Sequence, residues 1–414
     1  MISSGKEELV RRVAKLAKLN QELEEKIRKL EKENEKLAAQ LEKRKAVIQE
    51  DQPATEESLK FNMVTILFAE IRRLGKTFEG IDSALVMDEL DEIFFEFGSI
   101  ADKYKIERIK TIGDTFMCAG GIPVKNITNP VEVVMAAMEM RNLLERYERE
   151  KRGGEQRLWD LRIGIHTGPV TATVSGRKKI SYDIKGDTVH NASRLSSLSG
   201  SGSILISVMT YELVKEFFDT EYYDRLPVKY KDDLLIYRVR GLKPEFSAEG
   251  RGMYPNDSFR IKFGLIQFTD LQEMVLDKLE KELPDFVFYH NVKHTVDVVT
   301  EVELIGWAEG CSDEEILLLK TAALFHDTGI TVSFDDHEFH GTEYARKVLP
   351  DYGYTAEQIE RICSIIMATK LPPRPSNLLE EIICDSDLDY LGRSDFIPVS
   401  NSLFEELKAQ NKMK

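Results

Sequence analysis

Five of the seven histidines lie between His290 and His340, in the segments YHNVKH, ALFHDTG and DDHEFHG, and a further segment, CDSDLDYLG, adds aspartates downstream. His290 and His294 have i, i+4 spacing and so share a helical face. Imidazoles mixed with carboxylates are donors for a divalent ion such as Mn, Fe, Mg or Zn, and water on such an ion is acidic enough to attack a phosphoester. One isolated histidine is more often a hydrogen-bonded core residue; the grouping is what points to metal chemistry. A second set lies upstream. Glu70 in FAEI and Asp114 in IGDT each put a carboxylate beside the end of an apolar run. Two carboxylates converging from neighbouring strands suit a pair of hard divalent ions on a triphosphate. On turn chemistry alone, a Gly-Asp pair is more often a hairpin with a solvated acid.

Composition bounds what can position these groups. The chain has 414 residues, 42 % hydrophobic and 31 % charged, a globular balance long enough for two or three domains. Its 72 acidic and 57 basic side chains give a net charge of −15, which argues against nucleic acid or an anionic membrane surface as a partner. Residues 261–414 hold 14 basic and 29 acidic side chains and so account for the whole excess, leaving the middle of the chain neutral towards a triphosphate. Cys118, Cys311, Cys363 and Cys384 form no CxxC pair, which fits buried free thiols in a reducing, cytoplasmic setting. No apolar run reaches the roughly 18 residues that crossing a membrane requires.

Along the chain, Leu9, Val13, Leu16, Asn20, Leu23, Ile27, Leu30, Asn34, Leu37 and Leu41 alternate in steps of four and three. Leucine at d and asparagine at a predict a parallel, dimeric coiled coil over residues 1–50, either an inert stalk or a signalling lever. Pro53 breaks the heptad, so residues 51–60 read as a linker. From Phe61 strand-like and helix-like segments alternate: VTILF, SALVMDELDEIFFEFGSIADKY, RIKTIGDTFMCAGG, a helix near Pro130 to Glu150, separate strands at LRIGIHTG and VTATVS, a helix from Thr188, and late strands at ILIS and LIYRVRG. That order predicts an α+β domain over 61–246. After a Gly- and Pro-bearing joint at 247–260, residues 261–414 read as all-α.

The segments RIKTIGDTFMCAGGIP, LRIGIHTGPV, KKISYDIKGDTV and NASRL, in this order, resemble the class III nucleotidyl cyclase catalytic domain over about residues 61–243. The resemblance implies a ferredoxin-like sheet with flanking helices, and a homodimer, paired head to tail, whose two sites form between subunits. It implies metal ligands at Glu70 and Asp114 for Mg or Mn, a purine-selecting pair at Lys110 and Asp183, a transition-state arginine at Arg194 and a triphosphate-contacting lysine at Lys229. His190 falls on the ribose-orienting position. A lysine can donate to adenine N1 and an aspartate can accept from its exocyclic amine, so this pair matches ATP; guanine-selective sites usually carry Glu and a small polar residue. Four features depart from the family pattern: Glu70 for Asp, Arg72 and Arg73 in the phosphate-wrapping turn, His190 for Asn, and Thr173 for Gly.

The histidine-bearing segments resemble the HD-type metal-dependent phosphohydrolase domain over about residues 286–400. That resemblance implies His294, His326, Asp327 and Asp387 as ligands of one metal and His337 as a further ligand or a phosphate contact, with His340 able to cap or substitute; one or two divalent ions, Mn, Fe, Mg or Zn, are expected there. The expectation is a cytoplasmic signalling enzyme, dimeric through stalk and cyclase domain, that makes cyclic AMP and pyrophosphate from ATP beside a phosphoesterase. Two alternatives stand beside it: a degenerate cyclase domain sensing nucleotide for a working HD hydrolase, and a non-catalytic relay.

Overall fold

The computed structural model describes residues 57–74, 83–152, 158–175, 181–227 and 233–410. The expected coiled coil over 1–50, most of the linker at 51–60, Lys229 and the basic run 177–179 lie outside the described residues. Cyclase-like segments form a mixed sheet. Its strands are β1 (Glu57–Arg73), β2 (Glu107–Ile112), β3 (Thr115–Gly120), β4 (Trp159–Ser175), β5 (Ser181–Lys185), β6 (Ser203–Ser207), β7 (Phe218–Leu226) and β8 (Leu234–Leu242). They run in the order β2-β3-β1-β4-β6-β8-β7, with β5 paired to β4.

β1 explains the architecture. Its near-continuous apolar run has both faces covered, because period-two alternation sends Val64, Ile66 and Phe68 to one core and Leu67, Ala69 and Ile71 to the other. The second core also takes Leu90, Ile93 and Phe97 of α1 (Ser83–Lys103) and Val133, Val134 and Met138 of α2 (Asn129–Arg152). Behind the opposite face lies α3 (Asp187–Leu198), and α4 (Val208–Val214) follows β6.

One strand expectation needs correction. LRIGIHTG and VTATVS are not two strands but the single β4, which runs straight through Gly168 and Pro169. Proline lacks a donor, yet its fixed φ suits extended backbone. The Pro169 carbonyl accepts from Thr188 Oγ1 at 2.7 Å.

The remainder is helical: α5 (Asp257–Glu282), α6 (Val292–Ala308), α7 (Asp313–Phe325), α8 (His337–Val348), α9 (Ala356–Ala368), α10 (Leu378–Asp387) and α11 (Phe396–Ala409). α7 is the central rod, with Ile316 to Leu319 and Thr321 to Phe325 all buried. A capping box between Ser312 and Glu315 sets its start. α5 serves both halves. Phe259 enters the sheet-domain core and meets Phe217 edge-to-face with ring centroids 5.0 Å apart, while Phe268, Leu271, Val275 and Leu279 belong to the helical core. All four cysteines are buried free thiols. Among the described residues, no helix is long and apolar enough to cross a membrane.

Candidate functional site

The helical half brings all five of its expected site residues together. His294 is the third residue of α6, whose N-cap Asn291 accepts from His294 N at 3.1 Å. His326 and Asp327 terminate α7, and Asp387 terminates α10. His337 opens α8, and the reason α8 comes so close lies in the HDTG segment. A Cβ on Gly329 would stand 1.9 Å from the His337 carbonyl oxygen and 2.7 Å from Gly341 N, so only glycine admits that approach.

His294 Nε2 lies 3.1 Å from Asp387 Oδ1 and 3.4 Å from His326 Nε2; His326 Nε2 lies 3.1 Å from Asp327 Oδ2. His337 Nε2 reaches Asp327 Oδ1 at 3.4 Å. His326 Nδ1 donates to the Ala323 carbonyl at 2.7 Å, and His337 Nδ1 donates to the Phe334 carbonyl at 3.0 Å. Both rings therefore present Nε2 inward, which fixes the tautomer a metal ligand needs. Asp327 Oδ2 is buried and, among the described residues, makes no hydrogen bond of good geometry, although His326 Nε2 lies 3.1 Å away. His294, His326 and Asp327 offer ligand atoms all within 4.8 Å of one another. This donor set fits a divalent cation.

Burial alone would favour neutral His326, but Asp327 and Asp387 override it and hold the imidazole well above its ordinary pKa. Burial likewise opposes ionisation of Asp327, and His326 and His290 reverse that, holding the carboxyl well below its usual range. The carboxylates and imidazoles thus hold each other in their charged forms.

Sequence reasoning missed Glu406. It reads as one more acid on a polar terminal helix, yet it is 0 % exposed. It accepts from Tyr289 N at 2.8 Å and pairs with His290 Nδ1, so α11 fastens the segment that leads into His294. His290 is thereby committed to Glu406, and no described contact draws the half-buried His340 into the cluster. Two cavities flank it and share Tyr289, Asp387 and Tyr390. One, of about 450 Å³, is lined by Phe334, Lys370, Leu371 and Leu407; the other, of about 260 Å³, by Lys293, Asp297 and Arg393.

The sheet half gives pairs rather than a cluster. Glu70 on β1 is paired in register with Thr115, and Ile71 N donates to the Asp114 carbonyl at 2.8 Å, so both carboxylates sit at neighbouring strand ends. Two hard carboxylates there have the donor chemistry for Mg or Mn. Arg72 competes. It shares the face of β1 with Glu70, and its Nε donates to Glu70 Oε1 at 2.7 Å. That bond, reinforced by the charges of Asp114 and Asp160, holds the guanidinium above its ordinary pKa.

Lys110 Nζ meets Asp183 Oδ1 at 3.2 Å, and Lys185 reaches the other oxygen at 3.3 Å. The Lys110 bond, with Lys185 behind it, keeps the Asp183 carboxyl below its usual range. His190 and Arg194 share the exposed face of α3, where Arg194 donates to the Pro227 carbonyl at 2.8 Å. α3 lies tight on β4: a Cβ at Gly164 would stand 2.1 Å from Ser196 N. Thr173 is half-buried on β4. Among the described residues, no hydrogen bond or ion pair joins Glu70 and Asp114 to Lys110 and Asp183, or either pair to His190 and Arg194.

Residues 56–241 match the family model described as the adenylate and guanylate cyclase catalytic domain, and residues 291–390 match that of the HD domain. The chain therefore carries a class III cyclase catalytic domain followed by an HD domain. It is 30 % identical over 171 residues to a membrane guanylyl cyclase of Dictyostelium discoideum, covering 41 % of this chain and 11 % of that protein. It is 29 % identical over 197 residues to an adenylate cyclase of Mycobacterium tuberculosis, covering 47 % and 44 %. The solved adenylyl cyclase CyaB of P. aeruginosa is 29 % identical, over 44 % of this chain and 95 % of that one, with a TM-score of 0.40. The chain spans less than half the length of these two curated relatives.

Proposed function

We propose that the sheet domain, as a homodimer, converts ATP to 3′,5′-cyclic AMP and pyrophosphate, and that the HD domain hydrolyses a phosphoester. The adenine reading is carried by one observation, the Lys110–Asp183 contact at 3.2 Å. An ammonium and a carboxylate side by side offer a donor to N1 and an acceptor for the exocyclic amine, the reverse of what guanine, with a donor at N1 and an acceptor at O6, requires. Arg194 stabilises charge on the α-phosphoryl group as the ribose 3′-hydroxyl attacks and pyrophosphate leaves, His190 orients the ribose and Lys229 holds the triphosphate. Bound Mg or Mn supplies charge neutralisation on the phosphates. Dimerisation is supported by the separation of these groups into unconnected pairs within one chain.

In the HD domain His294, His326, Asp327 and Asp387 hold a divalent ion that supplies Lewis acidity to the phosphoester, with His337 as a further ligand. His326 and His337 enter that role with Nδ1 already committed to backbone carbonyls.

A second reading is favoured by the Arg72–Glu70 bond at 2.7 Å. An internal cation on the carboxylate that should hold metal suits a domain that binds nucleotide and governs the HD hydrolase. One assay separates the two. The purified chain is given ATP or GTP with Mn or Mg, and cyclic product and pyrophosphate are measured. Cyclic AMP in preference to cyclic GMP is expected; ATP bound without turnover in either metal would leave the second reading standing.

A further inference from the structure

Neither site uses a row of buried polar side chains that crosses the sheet domain. Thr65, Asn129, Ser207 and Thr210 are each 0 % exposed, and all are bonded to one another through intermediates. Each hydroxyl has one proton, and that fixes the direction of the row. Thr65 Oγ1 donates to Asn129 Oδ1 at 2.6 Å, so it must accept from Thr167, 3.0 Å away. Thr167 then accepts from Thr210 at 3.0 Å, and Thr210 from Ser207 at 3.3 Å. Ser207 is left to accept from His166 Nδ1 at 2.7 Å, which makes His166 the Nδ1–H tautomer. Its Nε2 accepts from Asn191 Nδ2 at 3.4 Å.

The two ends of the row are informative. Asn191 belongs to α3 and lies next to His190, three residues before Arg194. At the other end Asn129 Nδ2 donates to the Asn126 carbonyl at 2.6 Å, and Asn126 Nδ2 donates to Thr128 Oγ1 at 3.1 Å. Asp270 of α5 accepts from Thr128 Oγ1 at 3.1 Å and from Ile127 N at 2.9 Å. The row therefore reaches from the helix that carries His190 and Arg194 to a helix of the HD half, passing through the backbone carbonyl and then the side chain of Asn126.

We propose that this row positions α3 for cyclisation, with His166 and Asn191 as its positioning residues and Asp270 as its anchor in the HD half. The inference rests on the cyclase reading above only for its consequence in catalysis. Since each hydroxyl is the donor its neighbour requires, deleting one leaves groups on both sides unsatisfied in an apolar setting, and the loss is felt along the row.

Thr65 is the place to cut, because it lies mid-row and touches no part of either site. Thr65→Val removes the hydroxyl at nearly constant volume, whereas Thr65→Ser keeps it. The expected result for Thr65→Val is a fall in kcat of about tenfold with KM for ATP unchanged, faster hydrogen exchange of α3 amides, and recovery of both in Thr65→Ser. Asp270→Asn should act in the same direction. The double variant should lose no more than the worse single one, as members of one unit do. Unaltered α3 exchange and kcat in Thr65→Val, or losses that add in full, would overturn the proposal. An unsubstituted chain that makes no cyclic product sinks the cyclase reading instead, and α3 exchange in the same variants then decides the row.

Discussion

The two candidate sites are built on opposite plans. In the HD half, five side chains from four helix ends meet within one chain, and backbone carbonyls fix two of the imidazole tautomers in advance. The cyclase half has its groups in separate, largely exposed pairs, one of them already occupied by Arg72. A buried ion can be enclosed by a single small domain, because donors need only converge on a point. A nucleotide needs base, ribose and phosphate contacts spread over a length that these pairs do not bridge within one chain.

The sharpest way to break the comparison is to remove a converging donor. His326→Ala should abolish bound metal, as measured by elemental analysis of the full chain, and lower phosphoester hydrolysis by about 10³-fold or more. Cyclic product formation should persist. If that variant keeps its metal, the HD site is not assembled as described. Next in size is the pair proposed to read the base, Lys110 and Asp183. Lys110→Glu combined with Asp183→Ser should lower kcat/KM for ATP by about 10²-fold and raise it for GTP, since each unpaired polar contact to the base costs about 1–3 kcal/mol. Equal loss for both nucleotides would show that the pair does not read the base.

The same contrast governs what the sequence made legible. The convergence of the proposed HD ligands was readable because four short segments each carry their own donor, and the helices that bring them together follow from apolar periodicity. Glu406 was not, because an acid on an amphipathic terminal helix looks solvated until its partner His290 is known to sit across from it. The sheet and the β2–β3 hairpin were readable from alternation around the Gly113–Asp114 turn. The merger of two expected strands into β4 was not, because whether Pro169 ends a strand depends on who takes its carbonyl, and that is Thr188, nineteen residues away. The Arg72–Glu70 bond was within reach: i, i+2 spacing on a strand puts both on one face, and only the rotamers were undetermined.

That bond supplies the next test. Arg72→Ala frees Glu70 without touching Lys110 or Asp183. Cyclase activity at limiting Mg should rise by about tenfold, with a smaller gain in Mn, whose coordination is less demanding. Activity that falls instead would mean that the guanidinium works on the triphosphate and is no competitor of the metal.

The smallest effect belongs to the junction between the halves, where Asn126, Thr128, Asp270 and Lys105 surround Glu132. Burial is the main reason its pKa rises to about 7; the bonds from Asn126 and Thr128 and the charge of Lys105 oppose it, and Asp270 adds to it. A carboxyl whose folded pKa is raised binds more protons when folded than unfolded. Its contribution to stability is therefore complete below the unfolded value near 4.5 and is lost as pH rises through about 7. Between pH 6 and 8 a second negative charge appears beside Asp270, which already accepts from Ile127 N and Thr128 Oγ1. The Tm of the chain should fall by a few degrees over that interval, roughly what about 1 kcal/mol produces in a domain of this size, and Glu132→Gln should flatten the fall. A wild-type and Glu132→Gln pair with parallel pH profiles would place the ionisation elsewhere and leave the junction indifferent to pH.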